Sequence, residues 1–201
     1  MIPKKITLKD FLSYDDMAFD FSDITDATVT GENGAGKTSL FTDSITWALF
    51  GQGSKGGAKE IDNYVKLGAD SCTVEFEFEL NENVYKVIRH RNVTKGSSSL
   101  SLYAVIASGS EVPLANGKLS ETQKYIENLL HMNYKTFVAS SMVLQNKSNE
   151  FTENMTDAER KETLFNILDI DLWGDVGEKA KEDAATIKSQ IAVDEQRIST
   201  D

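Results

Sequence analysis

Disulfides are excluded from this chain, because Cys72 is the only cysteine in 201 residues. It reads instead as a small apolar group at the start of a strand. Histidine is equally scarce. His90 and His131 are the only two, they have no ligand-like spacing, and neither is assigned to a metal or to catalysis. Long apolar runs are missing as well: none approaches the roughly 20 residues that span a bilayer. The opening MIPKKITLKDF also lacks the apolar stretch of a signal peptide. The expectation is a cytoplasmic protein with no membrane partner. Positive charge is in deficit, 21 Lys and Arg against 32 Asp and Glu, which argues against a surface that attracts nucleic acid over its whole extent. Two local basic clusters remain, Lys86, Arg89, His90, Arg91 with Lys95, and Lys55 with Lys59. Both are expected to be solvated surface.

What is present centres on residues 27–50, ATVTGENGAGKTSLFTDSITWALF. Gly31 to Thr38 fills every fixed position of G-x-x-x-x-G-K-[ST], the phosphate-cradling P-loop. Ala27 to Thr30, rich in β-branched residues, is expected to enter a buried strand. Ser39 to Phe50 repeats apolar residues at Leu40, Phe41, Ile45, Ala48 and Leu49, a helical spacing. In such a strand, loop and helix, the glycines let successive amide N–H groups turn inward as an anion-binding nest at a helix N-terminus. Asn33, Gly34, Ala35, Gly36, Lys37, Thr38 and Ser39 are therefore the candidate nucleotide-binding residues. Lys37 is placed to reach the β- and γ-phosphates, and Thr38 to offer its hydroxyl to Mg²⁺, so the cofactors expected are ATP and Mg²⁺.

The chain is long enough for one domain with an appendage. Lys4 to Leu12 and Met17 to Phe21 alternate as strands around a turn at Ser13 to Asp16, a hairpin leading into the P-loop. The glycine-rich Gly51 to Gly57 reads as a flexible loop able to approach the nucleotide. Thr73 to Leu80 sets Val74, Phe76, Phe78 and Leu80 against Glu75, Glu77 and Glu79. That is a half-exposed antiparallel strand whose carboxylates form a solvated face. Val84 to Val93 and Ser99 to Ala107 complete an antiparallel meander.

From Ser120 the pattern is helical. Ser120 with Gln123, and Thr156 with Glu159, match capping boxes. Tyr134 to Met142 reads as a further helix. Near the end, Ala180, Ala184, Ile187, Ile191, Asp194 and Ile198 fall at intervals of four and three, the spacing of a coiled-coil seam, although a surface helix on the same domain fits too. The pattern is cut off at Ser199-Thr200-Asp201, which is expected of a fragment of a longer protein. A P-loop ATPase also needs an acidic residue after a buried strand. The nearest candidate, Asp169, is rejected because Asn166 interrupts the apolar run before it and the capping box upstream makes the segment helical, so the rest of the site is expected elsewhere.

Together these pieces resemble a family. Asp10-Phe11-Leu12-Ser13, GENGAGKTS and the helix ending Trp47-Ala48-Leu49-Phe50-Gly51 look like the ATPase subunits of DNA double-strand-break repair nucleases. These are the SbcC-type members of the structural-maintenance-of-chromosomes and ABC ATPase superfamily. Phe137 to Gln145, Glu150-Phe151 and Asp157 to Leu168 are similar to that family's Q-loop and to the helix that leads into its coiled coil. The fold class implied is α/β: the N-terminal lobe of an ABC-type P-loop ATPase, with an antiparallel meander, a helical segment and the start of a coiled coil. The lobe is expected over residues 1–170 and the coiled-coil root over 171–201.

The resemblance further implies that Gln145 is the Q-loop glutamine that reaches Mg²⁺ and the attacking water; an exposed loop glutamine is the alternative. It implies four partners: a C-terminal lobe of the same protein carrying the missing motifs, a second copy in an ATP-dependent head dimer, a nuclease subunit near residues 171–201, and double-stranded DNA ends. The family's DNA contacts carry no sharp motif, and Arg89, Arg91 and Lys95 are the residues considered for them. Two positions depart from the family's habit: Leu12 stands where a basic residue is frequent, and Glu32 where proline is common. A chromosome-organising ATPase without a nuclease and a transporter's nucleotide-binding subunit stay open as alternatives, and a small-molecule kinase is the weakest.

Overall fold

The structure, a computed structural model, describes residues 1–56, 60–115, 117–141, 156–167 and 171–198. The chain divides into two compact units, Met1–Gln145 and Asn146–Asp201.

The first unit is built on one six-stranded antiparallel sheet of order β2-β1-β3-β4-β5-β6. Its strands are β1 (Ile2–Phe11), β2 (Tyr14–Asp20), β3 (Ser71–Leu80), β4 (Asn83–Asn92), β5 (Ser97–Val105) and β6 (Glu111–Ala115). The period-2 alternation of the sequence sets which face is apolar. Ile6 and Leu8 from β1, and Cys72, Val74, Phe76 and Phe78 from β3, are buried on one face. On the other face the carboxylates of β3 are paired rather than merely solvated. Lys86 Nζ lies 2.9 Å from Glu75 and 3.0 Å from Glu111, and Lys4 lies 2.7 Å from Glu79. Burial works against the Lys86 ammonium, but its hydrogen bonds to Glu75 and Glu111 outweigh that and raise its pKa above the ordinary lysine value.

The hairpin and the meander stand as the alternation indicates, with a tighter first turn: Phe11 pairs with Tyr14, leaving Leu12 and Ser13 as the loop. Strand β6 carries no alternation that the sequence could show. Its Val112 and Leu114 are 44% and 37% exposed and it contains Pro113, which an edge strand tolerates because one side needs no donor. Residues 27–30, by contrast, do not form the expected strand. They are irregular and exposed, with Val29 45% accessible. A strand exists only against a hydrogen-bonded neighbour, and the six strands of this sheet pair with one another in the order given, leaving residues 27–30 outside it.

Residues 37–50 are helical throughout, with a π-wound turn at Ser39–Asp43 leading into α1 (Ser44–Phe50), whose residues are all buried. Around this helix, Phe11, Trp47 and Tyr64 form an aromatic cluster with ring centroids 5.3 to 5.9 Å apart. The unit ends with α2 (Leu119–Leu130), which buries Ile126 and Leu130, and α3 (Tyr134–Ser141). The capping box expected at Ser120 does not form. Helix α2 already begins at Leu119 after Lys118, with no side-chain cap, and Gln123 is drawn to another partner.

Cys72 is buried at the start of β3, and burial pushes its thiol up to about 12. At pH 8 in the folded chain it is therefore expected to resist alkylation by iodoacetamide and to react once denaturant unfolds the protein. Stoichiometric labelling of the native chain, read by mass spectrometry, would contradict this placement.

The second unit contains α4 (Asp157–Ile167), which starts directly after Thr156, and α5 (Asp171–Ile198). Along α5 the seam residues Ala180, Ala184, Ile187 and Ile191 are exposed. Among the described residues no helix is long and apolar enough to cross a membrane.

Candidate nucleotide-binding site

The loop preceding helix 37–50 takes its shape from two glycines with left-handed backbones, Gly34 at φ +85° and Gly36 at φ +86°. At Gly36 the need for glycine is double. A Cβ there would sit 2.9 Å from Tyr14 Oη, and the Tyr14 hydroxyl donates to the Gly36 carbonyl at 3.2 Å. Lys37 folds back over the loop, its Nζ donating to the carbonyls of Gly31 at 2.8 Å and Glu32 at 2.7 Å. We expect Gly36→Ala to lower stability by about 1–3 kcal/mol through the strained φ and the clash. Combining it with Tyr14→Phe should recover part of that loss by removing the clashing oxygen, as urea unfolding would show. A double variant that loses the full sum of the two single effects would contradict the close approach.

Asn33, Gly34, Ala35, Gly36, Lys37, Thr38 and Ser39 line a cavity of about 900 Å³. The facing wall comes from elements that the motif does not announce. Strand β1 pairs with β3 only as far as Lys9; at Asp10 the backbone turns to φ +49°, and the strand changes partner. Leu12 N–H then donates to the Tyr64 carbonyl at 2.9 Å, and Lys66 N–H to the Asp10 carbonyl at 2.8 Å. This switch sets the hairpin tip, Leu12 and Ser13, beside Asp62, Asn63, Val65 and Leu67 on the cavity wall.

The glycine-rich loop after α1 reaches the cavity too, and it is tied down. Asp43, buried in the P-loop helix, accepts hydrogen bonds from the Ser54 N–H at 2.8 Å and the Ser54 hydroxyl at 2.9 Å. Tyr64 donates its hydroxyl to the Gly56 carbonyl at 2.6 Å, and Asn63 Nδ2 donates to the Lys55 carbonyl at 3.2 Å. Burial, with the neighbouring Asp43 charge, raises the Tyr64 pKa far above its ordinary value, so its hydroxyl stays a donor. Lys55 thus lies on the cavity wall while staying exposed, in the loop expected to be able to approach the nucleotide. Tyr14, Asp43, Asn63 and Tyr64 are the supporting residues that sequence reasoning missed. Their signal is weak: a lone aspartate within an apolar helix is the clearest sign.

The first basic cluster does not form one surface. Arg89 is buried, with only 3% of its surface exposed. Its Nε donates to the Ala48 carbonyl at 3.0 Å, and its Nη2 to the Leu49 carbonyl at 3.3 Å and to Gln123 Oε1 at 2.6 Å. Arg91 pairs with Asp62 at 2.7 Å, and His90 shares a hydrogen bond with Thr73 at 2.9 Å. Arg89 is thereby removed from the residues considered for DNA. The reason is physical: the last carbonyls of a buried helix need donors, and a guanidinium offers five. Burial pulls its pKa down to about 9, which still leaves it charged at neutral pH.

Among the described residues no group of three or more His, Cys, Asp or Glu could hold a metal ion. The hard hydroxyl oxygen of Thr38 suits Mg²⁺ when phosphates supply the other ligands. The cavity holds an ammonium, a hydroxyl and a glycine loop on one wall, which fits a nucleotide triphosphate with its metal. Gln145 and Asp169 lie outside the described residues.

A family profile described as an AAA domain matches residues 5–198. The chain is 32% identical over 185 residues to a protein of Methanococcus maripaludis named DNA double-strand break repair Rad50 ATPase, covering 89% of this chain and 17% of that one. It is 27% identical over 146 residues to the SbcC component of the SbcCD nuclease of Deinococcus radiodurans, covering 72% and 16%. The chain thus spans about a sixth of the length of these relatives. A solved chain from work on "ATP-driven dimerization and DNA stimulated activation of SMC ATPases" has the same fold, with a TM-score of 0.56 at 23% identity, covering 83% of this chain and 99% of that one. With a P-loop cavity, a profile matched over nearly the whole chain and relatives named for Rad50 and SbcCD, the chain belongs to the AAA domain family of P-loop ATPases, among the relatives of Rad50 and SbcC.

Proposed function

We propose that this chain is the ATP-binding half of an SbcC-type ATPase whose ATP cycle controls a partner nuclease at DNA double-strand ends. The observation that carries the reading is the cavity lined by Asn33 to Ser39, in a chain whose relatives are named for a double-strand-break repair ATPase and a nuclease. In this reading Lys37 exchanges the carbonyls of Gly31 and Glu32 for phosphate oxygens, and the loop amides hold the remaining charge. Mg²⁺ supplies neutralisation of the charge that develops between the β- and γ-phosphates. Thr38 and Gln145 would hold it, and Gln145 would also position the attacking water.

Residues 1–170 act as the N-terminal lobe and 171–201 as a coiled-coil root. The four-three spacing of Ala180, Ala184, Ile187 and Ile191 along α5 supports the second assignment, because an apolar seam of that period suits a partner helix. A C-terminal lobe of the same protein completes the site, a second head closes over the nucleotide, and a nuclease docks near 171–201. The γ-phosphate, contacted from both heads, shifts the population toward the engaged dimer.

The test is ATP turnover by the chain alone and after mixing with the remainder of the same protein, with and without DNA ends. No turnover alone, restored by the second lobe and stimulated by ends, is expected; robust turnover by the chain alone would overturn the split site. In the restored complex, Gln145→Ala should leave nucleotide binding intact and slow turnover by about 100-fold, the loss that follows removal of one group positioned only for the transition state. Normal turnover would remove Gln145 from the site.

A further inference from the structure

The P-loop helix carries a charged group at each end of its span, and the second one is unaccounted for. Its N-terminal end bears Lys37 and the phosphate-binding loop. At its C-terminal end Arg89 from β4 donates to the carbonyls of Ala48 and Leu49, while Gln123 Nε2 from α2 donates to the same Leu49 carbonyl at 3.0 Å. Arg89 and Gln123 also bond each other, and Gln123 continues to Glu127 at 2.9 Å. The guanidinium lies 5.9 Å from the centre of the Trp47 ring. The backbone makes room for it: Gly51 takes a left-handed φ of +66°, and a Cβ there would come within 3.0 Å of Arg89 Nη1. A buried cation is expensive to desolvate. A neutral donor from the meander could have capped the same carbonyls at a lower desolvation cost, so the charge itself calls for an explanation.

We infer that Arg89 is a positioning residue for the nucleotide, holding the C-terminal end of the P-loop helix and lending its charge to anion binding at the other end. The inference rests on the proposed nucleotide site. A cation at a helix C-terminus reinforces the helix dipole, whose positive end points at the phosphates. Twelve residues of helix set Arg89 about 18 Å from the phosphate loop. Across that distance, at an effective dielectric of about 20, two unit charges attract enough to change affinity about fivefold. The Arg89 end is buried and the phosphate loop is exposed, so the effect is largest at low ionic strength.

The experiment is calorimetric titration of the chain with Mg·ATP, together with thermal unfolding of each variant. Arg89→Met should weaken binding about fivefold, whereas Arg89→Lys, which keeps the charge, should stay within about twofold of the parent. Gln123→Glu keeps the side-chain size but sets a carboxylate on the guanidinium, and should weaken binding in the same direction even if Arg89→Met does not fold. Val87→Ala, a buried apolar position on the same strand whose side chain cannot donate to these carbonyls, should lower the melting temperature without changing affinity. Parent affinity in both Arg89→Met and Gln123→Glu would overturn the inference. So would a Val87→Ala variant that loses as much affinity as Arg89→Met, because the effect would then be general destabilisation. Failure of the parent chain to bind Mg·ATP would instead remove the nucleotide site, and the inference with it.

Discussion

Lys37→Ala is expected to weaken Mg·ATP binding by about 100-fold while leaving the melting temperature within a degree or two. The two halves of this expectation come from the same geometry. In the structure the Lys37 ammonium donates to the carbonyls of Gly31 and Glu32, both in exposed positions, so removing it exposes little that water cannot replace. Against phosphates the same ammonium forms charge-assisted bonds. Each is worth about 1.5–3 kcal/mol, and losing one or two corresponds to roughly ten- to several-hundred-fold in affinity. Isothermal titration with a parallel melting curve separates the two effects. An unchanged affinity would mean that the cavity lined by Asn33 to Ser39 is not where nucleotide binds, and the proposed function would fall with it.

The largest effect on stability is expected at Trp47. It is fully buried, packs at 5.3 Å from Phe11 and 5.9 Å from Tyr64, and lies beneath Arg89. Trp47→Ala should cost about 3–5 kcal/mol, through lost burial and the cavity left behind, or a fall of about 10 °C in melting temperature for a chain of this size. Trp47→Phe should cost far less, about 1 kcal/mol. Among the described residues the indole Nε1 is buried without a hydrogen-bond partner, so phenylalanine loses volume but also removes an unsatisfied donor. Equal losses for the two variants would show that the indole N–H has a partner in solution and that ring packing is not what the site depends on.

Much of this was legible from the residues. Alternation in β1 and β3 is a direct imprint of a sheet with one buried face, and the P-loop is a motif whose spacing leaves little freedom. The strand expected at residues 27–30 failed because β-branched composition measures willingness to be a strand, and pairing needs a neighbour that these residues do not find among the described residues. The capping box at Ser120 failed by one residue: the helix starts at Leu119, which frees Gln123 for the carbonyl of Leu49.

Arg89 has the charge of a surface residue and the burial of a core one. Val87 and Arg89 lie two apart on β4 and therefore on one face, and Val87 is fully buried. Parity then sets Arg89 in the interior as well, although in the sequence Val84 and Ile88 make the opposite face equally apolar. Of the supporting wall, only the Gly51 to Gly57 loop was legible as able to approach the nucleotide. Leu12 meets Asn63 because β1 turns at Asp10, and Lys55 joins them because Asp43, Asn63 and Tyr64 tie its loop; these are long-range contacts that nothing local encodes.

That β1 lies between β2 and β3 has a consequence for the order in which the protein comes into being. Neighbours elsewhere in the sheet are consecutive in the chain, but β1 pairs with β3 across the whole P-loop helix, Ile6 opposite Phe76. During synthesis the hairpin, the loop and the helix are therefore all made before β3 and β4, which with β1 form the surface on which the helix packs. Closing that long loop carries an entropic penalty that the local hairpins avoid. Chains stalled just after Gly51 should fail to retain Mg·ATP that chains extended past β6 hold. The phosphate loop is complete once Thr38 has been added, yet the scaffold that makes it a binding site arrives only with β3, so the growing chain carries its nucleotide motif before it can use it.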